Sequence, residues 1–344
     1  MKTGLVGFQG SGKSTLFELL TGIAPDPAKA HTGQVGQATV ADARFDALVD
    51  HYKPGKEVPA RVELLDTPGL DRRQQEVNPQ RLGVIREAQA LVHVVGGFAD
   101  GVDVVQEVTR FGEELALADL QIITNRISRL EVDATKPRPD REELQAELEA
   151  LVPLAEALES DLTLDGIELT ETQDKVTRSF SLLTLKQRLV LVNTAEPGAH
   201  QAACESLQSA GHRVMSAAVG LELELEALDA DDRAEMAEEL GLSGSCRHEV
   251  MQAILETGEL ITFYTCAEKE VHAWLLRRGS TAVDAADTIH SDLARGFIRA
   301  EVTPCDTLLE LGSEKEVKAA GLWHVEGKDY IVQDGDDLFI RSGV

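Results

Sequence analysis

Short apolar runs that stop at a glycine, an acid or an amide set the frame of this chain. Thr3 to Phe8 is mostly apolar and runs into Gly-rich sequence, which reads as a buried strand. Lys13 to Leu20 follows as a helix. Further runs end at Asp66 (62–65), at Gly96-Gly97 (90–95), at Asn193 (189–192) and at Ser216-Ala217 (213–215). Polar or helical stretches separate them. Strands alternating with helices predict an α/β fold, a parallel sheet covered on both faces. Ligands of such sheets gather at the carboxyl ends of the strands. Here each of those ends carries a candidate motif.

Between about 112 and 183 the period changes. Ala116, Leu120, Ile123, Ile127 and Leu130 recur at spacings of 4, 3, 4 and 3, and Leu144, Leu148, Leu151, Ala155 and Leu158 repeat them. Lys136-Pro137-Arg138-Pro139-Asp140 lies between and must break a helix. The pattern predicts an inserted antiparallel helical hairpin with a coiled-coil-like seam, kinked or ended at Pro153 in its second arm. A plain helical core is the alternative reading; the acidic outer face favours a solvated projection. From about 260 the chain reads as a compact α+β domain. Strands are expected at 260–265, 271–275, 296–302, 329–332 and 338–340, with helices at 282–290 and 315–320. Trp274 and Trp323 fall in this region and read as core rather than as a base-stacking surface.

Composition narrows the classes. A length of 344 residues predicts two or three domains. The formal charge of −27 and 4% aromatic content argue against a general nucleic-acid coat or a base-stacking platform, so no DNA partner is expected. The charge is uneven. Residues 140–177 hold 12 acids against Arg141 and Lys175, and 221–240 hold 9 against Arg233. Residues 72–86 reverse the sign, with Arg72, Arg73, Arg81 and Arg86 against Glu76. The 4 cysteines have no zinc spacing and fit a reducing cytosol. The chain opens into a strand-like run instead of a leader, and no apolar run reaches the ~18 residues a membrane span needs. A soluble cytoplasmic protein is expected.

Gly7-Phe8-Gln9-Gly10-Ser11-Gly12-Lys13-Ser14 matches G-x4-G-K-[ST] in the required context, after a strand and before a helix. Backbone N–H groups at Gly10, Ser11 and Gly12 would wrap phosphate, aided by the helix N-terminus. Lys13 would reach the β- and γ-phosphates, Ser14 would hold Mg²⁺, and Thr15 is placed for the α-phosphate. Asp66-Thr67-Pro68-Gly69 follows the next strand, with Asp66 as the second metal group and Gly69 as a γ-phosphate sensor. Lys13 and Gly69 are thus the catalytic candidates. Leu70 stands where Ras-type enzymes orient water with Gln; a Leu cannot do so, and slow hydrolysis is expected.

Guanine is read in this class by N-K-x-D. Here Asn193-Thr194-Ala195-Glu196 lacks the Lys and has a longer acid. Adenine has no 2-amino group for a carboxylate to accept from, and an Asn can pair with its N6/N7 edge. Asn193 and Glu196 therefore lean toward ATP, with Ser216 and Ala217 as the second base-contacting loop. A plain capped turn is the alternative for this motif alone.

Together these motifs resemble the YchF-type, Obg-like ATPase family, a branch of the translation-factor-related P-loop GTPases, along nearly the whole chain. Arg44-Phe45-Asp46-Ala47-Leu48, Glu114 to Leu120, Arg295 to Val302 and Glu326 to Asp336 add to the likeness, the last two most specifically. The resemblance implies a P-loop G domain at 1–112 and 184–259, a helical arm at 113–183 and a β-grasp-like TGS domain at 260–344. It also implies ATP over GTP, Mg²⁺, and association with the ribosome through the arm or the TGS domain. The family's P-loop carries Asn where this chain has Gly10; that Asn helps hold potassium, so potassium is not carried over. The family's aromatic switch I is replaced by Lys29-Ala30-His31-Thr32-Gly33, leaving Thr32 as the third metal candidate and His31 as a solvated loop residue. The Gly-rich switch II is replaced by Asp71 to Asn78, and the loop histidine implicated in hydrolysis has no match across Ala99-Asp100-Gly101-Val102-Asp103.

Four readings stay open. One is a slow Mg-ATP hydrolase acting as a switch, another a nucleotide-sensing module with negligible turnover. The others are a GTPase and a small-molecule kinase, the latter with Arg72, Arg73 and Arg81 as lid arginines.

Overall fold

The computed structural model describes residues 2–99, 101–134, 139–164, 166–240 and 246–343. Lys136, Pro137 and Arg138 of the expected helix breaker lie outside them, as does Asp100. The chain forms two compact units, Met1–Gly36 with Leu64–Val250, and Gln37–Glu63 with Met251–Val344.

The first elements in chain order are β1 (Lys2–Val6), α1 (Lys13–Thr21), β2 (Gln34–Thr39), α2 (Ala43–Tyr52), β3 (Glu57–Val58) and β4 (Arg61–Asp66). Next come α3 (Asn78–Ile85), β5 (Ala90–Gly96), α4 (Val104–Ala134), α5 (Arg141–Asp161) and α6 (Glu171–Arg178). Then follow β6 (Arg188–Asn193), α7 (Gln201–Ser209), β7 (Arg213–Ala217), α8 (Val219–Glu226), α9 (Ala230–Glu239) and α10 (Cys246–Thr257). The chain continues with β8 (Leu260–Cys266), β9 (Val271–Arg277), α11 (Ala282–Ile289), α12 (Ser291–Arg295) and β10 (Phe297–Pro304). It closes with α13 (Cys305–Leu311), α14 (Glu314–Ala319), β11 (His324–Glu326) and β12 (Asp336–Ser342).

The first unit is built on a sheet of order β2-β4-β1-β5-β6-β7. The β1–β5, β5–β6 and β6–β7 pairs are parallel. Their register sets Gly96 opposite Asn193 and Asn193 opposite Ala217, so the expected motifs share one sheet edge. Val6, Phe8, Leu70, Leu82, Ile85, Phe111 and Leu115 belong to one core cluster, and Val95, Val104, Val108, Val190, Val192 and Leu207 to a second, with α4 packed into both.

The helical hairpin is α4 against α5. Ala116, Ile123, Leu130, Leu151, Leu154 and Leu158 fill its seam with α6 alongside. Two details differ from expectation. Helix α4 runs unbroken through 112–113, its first turns packed in the sheet cores and its later turns in the hairpin seam. Helix α5 also continues through Pro153, because the leucines on either side of it are held by the seam and outweigh the lost backbone bond.

Three polar links tie α4 to the segment that follows β4. Arg72 pairs with Glu107, Asn78 Nδ2 donates to Glu114 Oε2 at 3.3 Å, and Arg86 Nη1 sits 2.7 Å from Asp119 Oδ1. Asp119 is fully buried, and its other oxygen accepts from Thr184 N and Oγ1, each at 2.8 Å.

The second unit holds a mixed sheet of order β11-β10-β12-β8-β9-β3. β8 and β9 are antiparallel, β10 pairs antiparallel with both β11 and β12, and β12 runs parallel to β8. Helix α11 packs Ala282, Ala285 and Ala286 on Ile261, Phe263, Ala300 and Val302. Trp274 lies against this core, stacks on His272 at 3.6 Å and donates to Thr265 Oγ1 at 3.1 Å. The strand expected at 329–332 is instead a turn with a single bridge, Thr281 to Ile331. Asp336 gathers it, accepting from Tyr330 Oη at 2.8 Å and Gln333 N at 2.9 Å. The segment 37–63 belongs to this unit, not to the nucleotide-binding sheet alone. Asp42 caps α2, with Arg44 N donating to it at 3.0 Å, and also accepts from the fully buried Tyr264. Arg44 Nη1 reaches Asp334 at 2.8 Å, whose other oxygen accepts from Thr262 N at 2.8 Å.

Candidate functional site

The loop after β1 is shaped by glycines at two decisive positions. Gly7 has φ +141°, and a Cβ there would meet Val94 O at 2.4 Å. Gly12 has φ +92°, and a Cβ would meet Asn193 Nδ2 at 2.1 Å. Helix α1 starts after Gly12 with no side-chain cap and no acid in its first turn. Its first N–H groups are therefore left for an anion, as phosphate loops require.

Lys13 is buried, and its Nζ donates to Phe8 O at 2.8 Å. Burial pulls its pKa down to about 8; Asp66 opposes the shift, while Arg81 and Arg72 add to it. Ser14 Oγ donates to Asp66 Oδ2 at 2.7 Å. Asp66 Oδ1 is buried without a partner among the described residues, and desolvation raises the carboxyl's pKa against the pull of Ser14 and Lys13. An orphaned carboxylate oxygen beside a hydroxyl suits Mg²⁺ or one of its waters. Thr32 is exposed, and its neighbour Gly33 packs against the Asp66 backbone.

Gly69 must lack a side chain, since a Cβ would lie 2.8 Å from Lys13 Nζ and 2.8 Å from Gln9 Cα. Two backbone bonds, Gln9 N to Leu70 O and Leu70 N to Gly7 O, both 3.0 Å, fasten this segment to the phosphate loop. The Leu70 side chain is fully buried with Val6, Phe8 and Phe111, turned away from the phosphate loop's open side.

At the base end, Asn193 bridges two loops. Its Nδ2 donates to Ser11 O at 3.2 Å, and its Oδ1 accepts from Val219 N at 3.3 Å. One amide N–H is left for a purine acceptor. Thr194 N donates to Ala217 O at 2.9 Å, drawing the two candidate base loops together. Glu196 and Ser216 are exposed, Ala217 is buried, and Thr15 is half-buried on α1.

Phe98 had no role in the sequence reading, and Arg81 and Arg72 entered it only in the basic stretch 72–86 and as lid arginines of the kinase alternative. Phe98 is exposed, and its ring edge lies 3.7 Å from where a Cβ on Gly12 would stand. Arg81 donates to Gly69 O, and the Gln9 amide oxygen, oriented by hydrogen bonding, accepts from its Nη1 at 2.7 Å and Nη2 at 3.1 Å. Arg72 lies 4.7 Å from the Phe8 ring centroid and pairs with Glu107. The basic balance of 72–86 was the available signal; only packing separates the inward Arg81 from the exposed Arg73.

Comparison with known proteins agrees with this arrangement. A family described as 50S ribosome-binding GTPase matches residues 2–126. The YchF GTPase C-terminal family, described as a protein of unknown function, matches residues 260–342. The ribosome-binding ATPase YchF of Bacillus subtilis is 32% identical over 367 positions, covering 100% of both chains. Its namesake in Haemophilus influenzae is 32% identical, over 100% of this chain and 99% of the other. Obg-like ATPase 1 of Oryza sativa subsp. japonica is 32% identical, over 100% of this chain and 92% of its own. The solved YchF GTPase of Schizosaccharomyces pombe superposes with a TM-score of 0.81 at 23% identity, over 99% of this chain and 97% of the other.

Proposed function

Since the chain belongs to the YchF family, we propose that it is a molecular switch that binds Mg-ATP in preference to GTP and hydrolyses it slowly. The observation that carries this reading is the orphaned Asp66 Oδ1 beside Ser14 and the desolvated Lys13, under an uncapped helix start. Ser14, Asp66 and Thr32 would hold Mg²⁺, which when bound offsets charge on the β- and γ-phosphates. Gly10, Ser11, Gly12, Lys13 and Thr15 would hold the phosphates. Lys13 and the Gly69 backbone would attend the γ-phosphate. Asn193, Glu196, Ser216 and Ala217 would frame the base, and the ATP preference rests on the departure of Asn193-Thr194-Ala195-Glu196 from the guanine-reading N-K-x-D. Slow turnover follows from Leu70, whose buried side chain cannot orient water.

The names of the relatives support the ribosome as partner, reached through the hairpin (113–183) or the C-terminal region (260–344). The parallel pairing of β8 with β12 between antiparallel neighbours, with α11 on one face, supports a β-grasp-like TGS assignment for the latter. Among the described residues no helix is long and apolar enough to cross a membrane, in keeping with a cytoplasmic setting.

Calorimetry of ATP against GTP, each with Mg²⁺, tests the base preference; equal or tighter GTP binding would sink it. The burial of Leu70 also favours a sensing module without turnover. Single-turnover decay of labelled ATP separates the two: bound ATP intact after hours removes the enzyme.

A further inference from the structure

We propose that Arg81 is a built-in catalytic arginine of this site, contacting the γ-phosphoryl group of the bound nucleoside triphosphate. The inference rests on the nucleotide-hydrolase reading above and adds a residue to it.

Three observations converge on Arg81. The first is place: its guanidinium reaches Gly69 O and the Gln9 side chain, and a Cβ on Gly69 would meet both Gln9 and Lys13 Nζ at 2.8 Å. A group held there faces the same space as the lysine ammonium. The second is unbalanced charge. The neighbours Arg81 bonds are neutral oxygens, and among the described residues it has no acid within ion-pair distance. Asp71 feels its charge, but the Asp71 carboxylate is occupied by the backbone N–H groups of Arg73 and Gln74. Arg72, by contrast, is matched by Glu107. Lys13 and Arg81 are thus two cations on either end of Gly69, while the nearby Asp66 is engaged by Ser14, which leaves positive charge that a polyanion removes.

The third is the gap Arg81 fills. Leu70 is locked in the core, and by sequence the 99–103 segment carries no histidine. In hydrolysis the water oxygen bonds to the γ-phosphorus as the bond to the β,γ-bridging oxygen breaks. That oxygen leaves on the nucleoside diphosphate with the electron pair, and the water's proton ends on released phosphate. Negative charge on the peripheral and bridging oxygens redistributes along this path, and a guanidinium preorganised beside it stabilises the transition state more than the ground state. Arg81 is preset by Gly69 O and Gln9, so little side-chain ordering is left to the reaction.

The test compares the full-length protein with Arg81→Gln, Arg81→Lys and, as a control, Arg73→Gln, whose side chain is exposed. Single-turnover decay of Mg-ATP should fall by on the order of 100-fold or more in Arg81→Gln and partly recover in Arg81→Lys. The Kd for Mg-ATP should move less than about fivefold. A second readout is independent of turnover: aluminium fluoride should trap Mg-ADP on the wild type and not on Arg81→Gln. Arg81→Gln decaying ATP at the wild-type rate overturns the inference. So does an equal loss of ADP affinity and thermal stability in Arg81→Gln and Arg81→Lys, which marks a purely structural arginine. If the wild type binds Mg-ATP but leaves it intact, the arginine is not catalytic. If the wild type does not bind Mg-ATP at all, the nucleotide reading itself falls first.

Discussion

The two units treat buried polar groups in opposite ways. In the C-terminal unit, Asp42, Arg44, Tyr264, Thr262 and Asp334 form one closed network, and Asp336 closes another with Tyr330 and Gln333. In the P-loop unit, Ser11 Oγ, Asp66 Oδ1 and Thr194 Oγ1 are buried without hydrogen-bond partners among the described residues, as are Thr3 Oγ1 and His93 Nδ1 within strands β1 and β5. The first three lie at or just beyond the carboxyl ends of strands. An unmade buried hydrogen bond costs roughly 1–3 kcal/mol, so a cluster of such groups at one sheet edge calls for something to complete them. The closed networks serve the fold; the three open groups at the strand ends fall where the proposed nucleotide would bind.

The sharpest break of this contrast is Lys13→Met. Mg-ATP affinity should fall on the order of 100-fold by calorimetry, because a charge-assisted phosphate contact is gone. Folding should not suffer. The Lys13 pKa is about 8 in the native state against 10.5 for the free side chain, so below pH 8 the native protein carries a penalised charge. Removing it should hold or raise the urea midpoint at pH 7. A large loss of stability would mean Lys13 serves the fold.

Asp42→Ala is the mirror experiment. It removes a helix cap and strands the Tyr264 hydroxyl, for a loss of about 2–3 kcal/mol in urea unfolding. Mg-ATP affinity of the folded fraction should not move.

Leu70→Gln asks whether the Ras-like residue can be restored. The side chain would enter a core lined by Val6, Phe8 and Phe111, costing about 2 kcal/mol. Single-turnover hydrolysis should not accelerate. A faster rate would show that the side chain can swing out.

The smallest effect is in pH. A polyanion needs Lys13 protonated, so binding should be flat below pH 8 and weaken up to about tenfold per unit above it, with proton uptake. In the empty protein the sign is opposite: stability rises between about pH 8 and 10.5, where only the unfolded chain keeps the proton. Lys13→Met should erase both trends.

Legibility in the sequence followed the same division. Strands β1, β5 and β6 were readable because both faces are buried and their residues are mostly apolar, without a strict alternation. Strand β2 was not. Its inward residues are Gln34, Gly36 and Ala38, while Val35 is exposed, the reverse of a hydrophobic alternation. Gln34 is tolerated inside because Asp26 N and Ala24 O occupy its amide, and Gly36 because a Cβ would meet the Phe17 ring at 2.7 Å. Such causes lie in partners outside the strand, on the preceding loop and helix, which no period within the strand reveals. The phosphate loop was readable since its chemistry depends on local spacing. Arg81 was legible only as part of a basic stretch, because the turn of α3 aims it at Gly69, and no local pattern encodes that direction.

The links from Arg72, Asn78 and Arg86 to Glu107, Glu114 and Asp119 are spread along the inner part of α4. That helix has 31 residues, so it is about 46 Å long. Pivoted at the middle of these links, near Glu114, the remaining residues reach about 30 Å, and a tilt of roughly 5° would sweep the far end through about 2.6 Å, close to the length of a hydrogen bond. Motion too small to matter at the phosphate is therefore magnified by leverage alone, with no need for the hairpin itself to change shape.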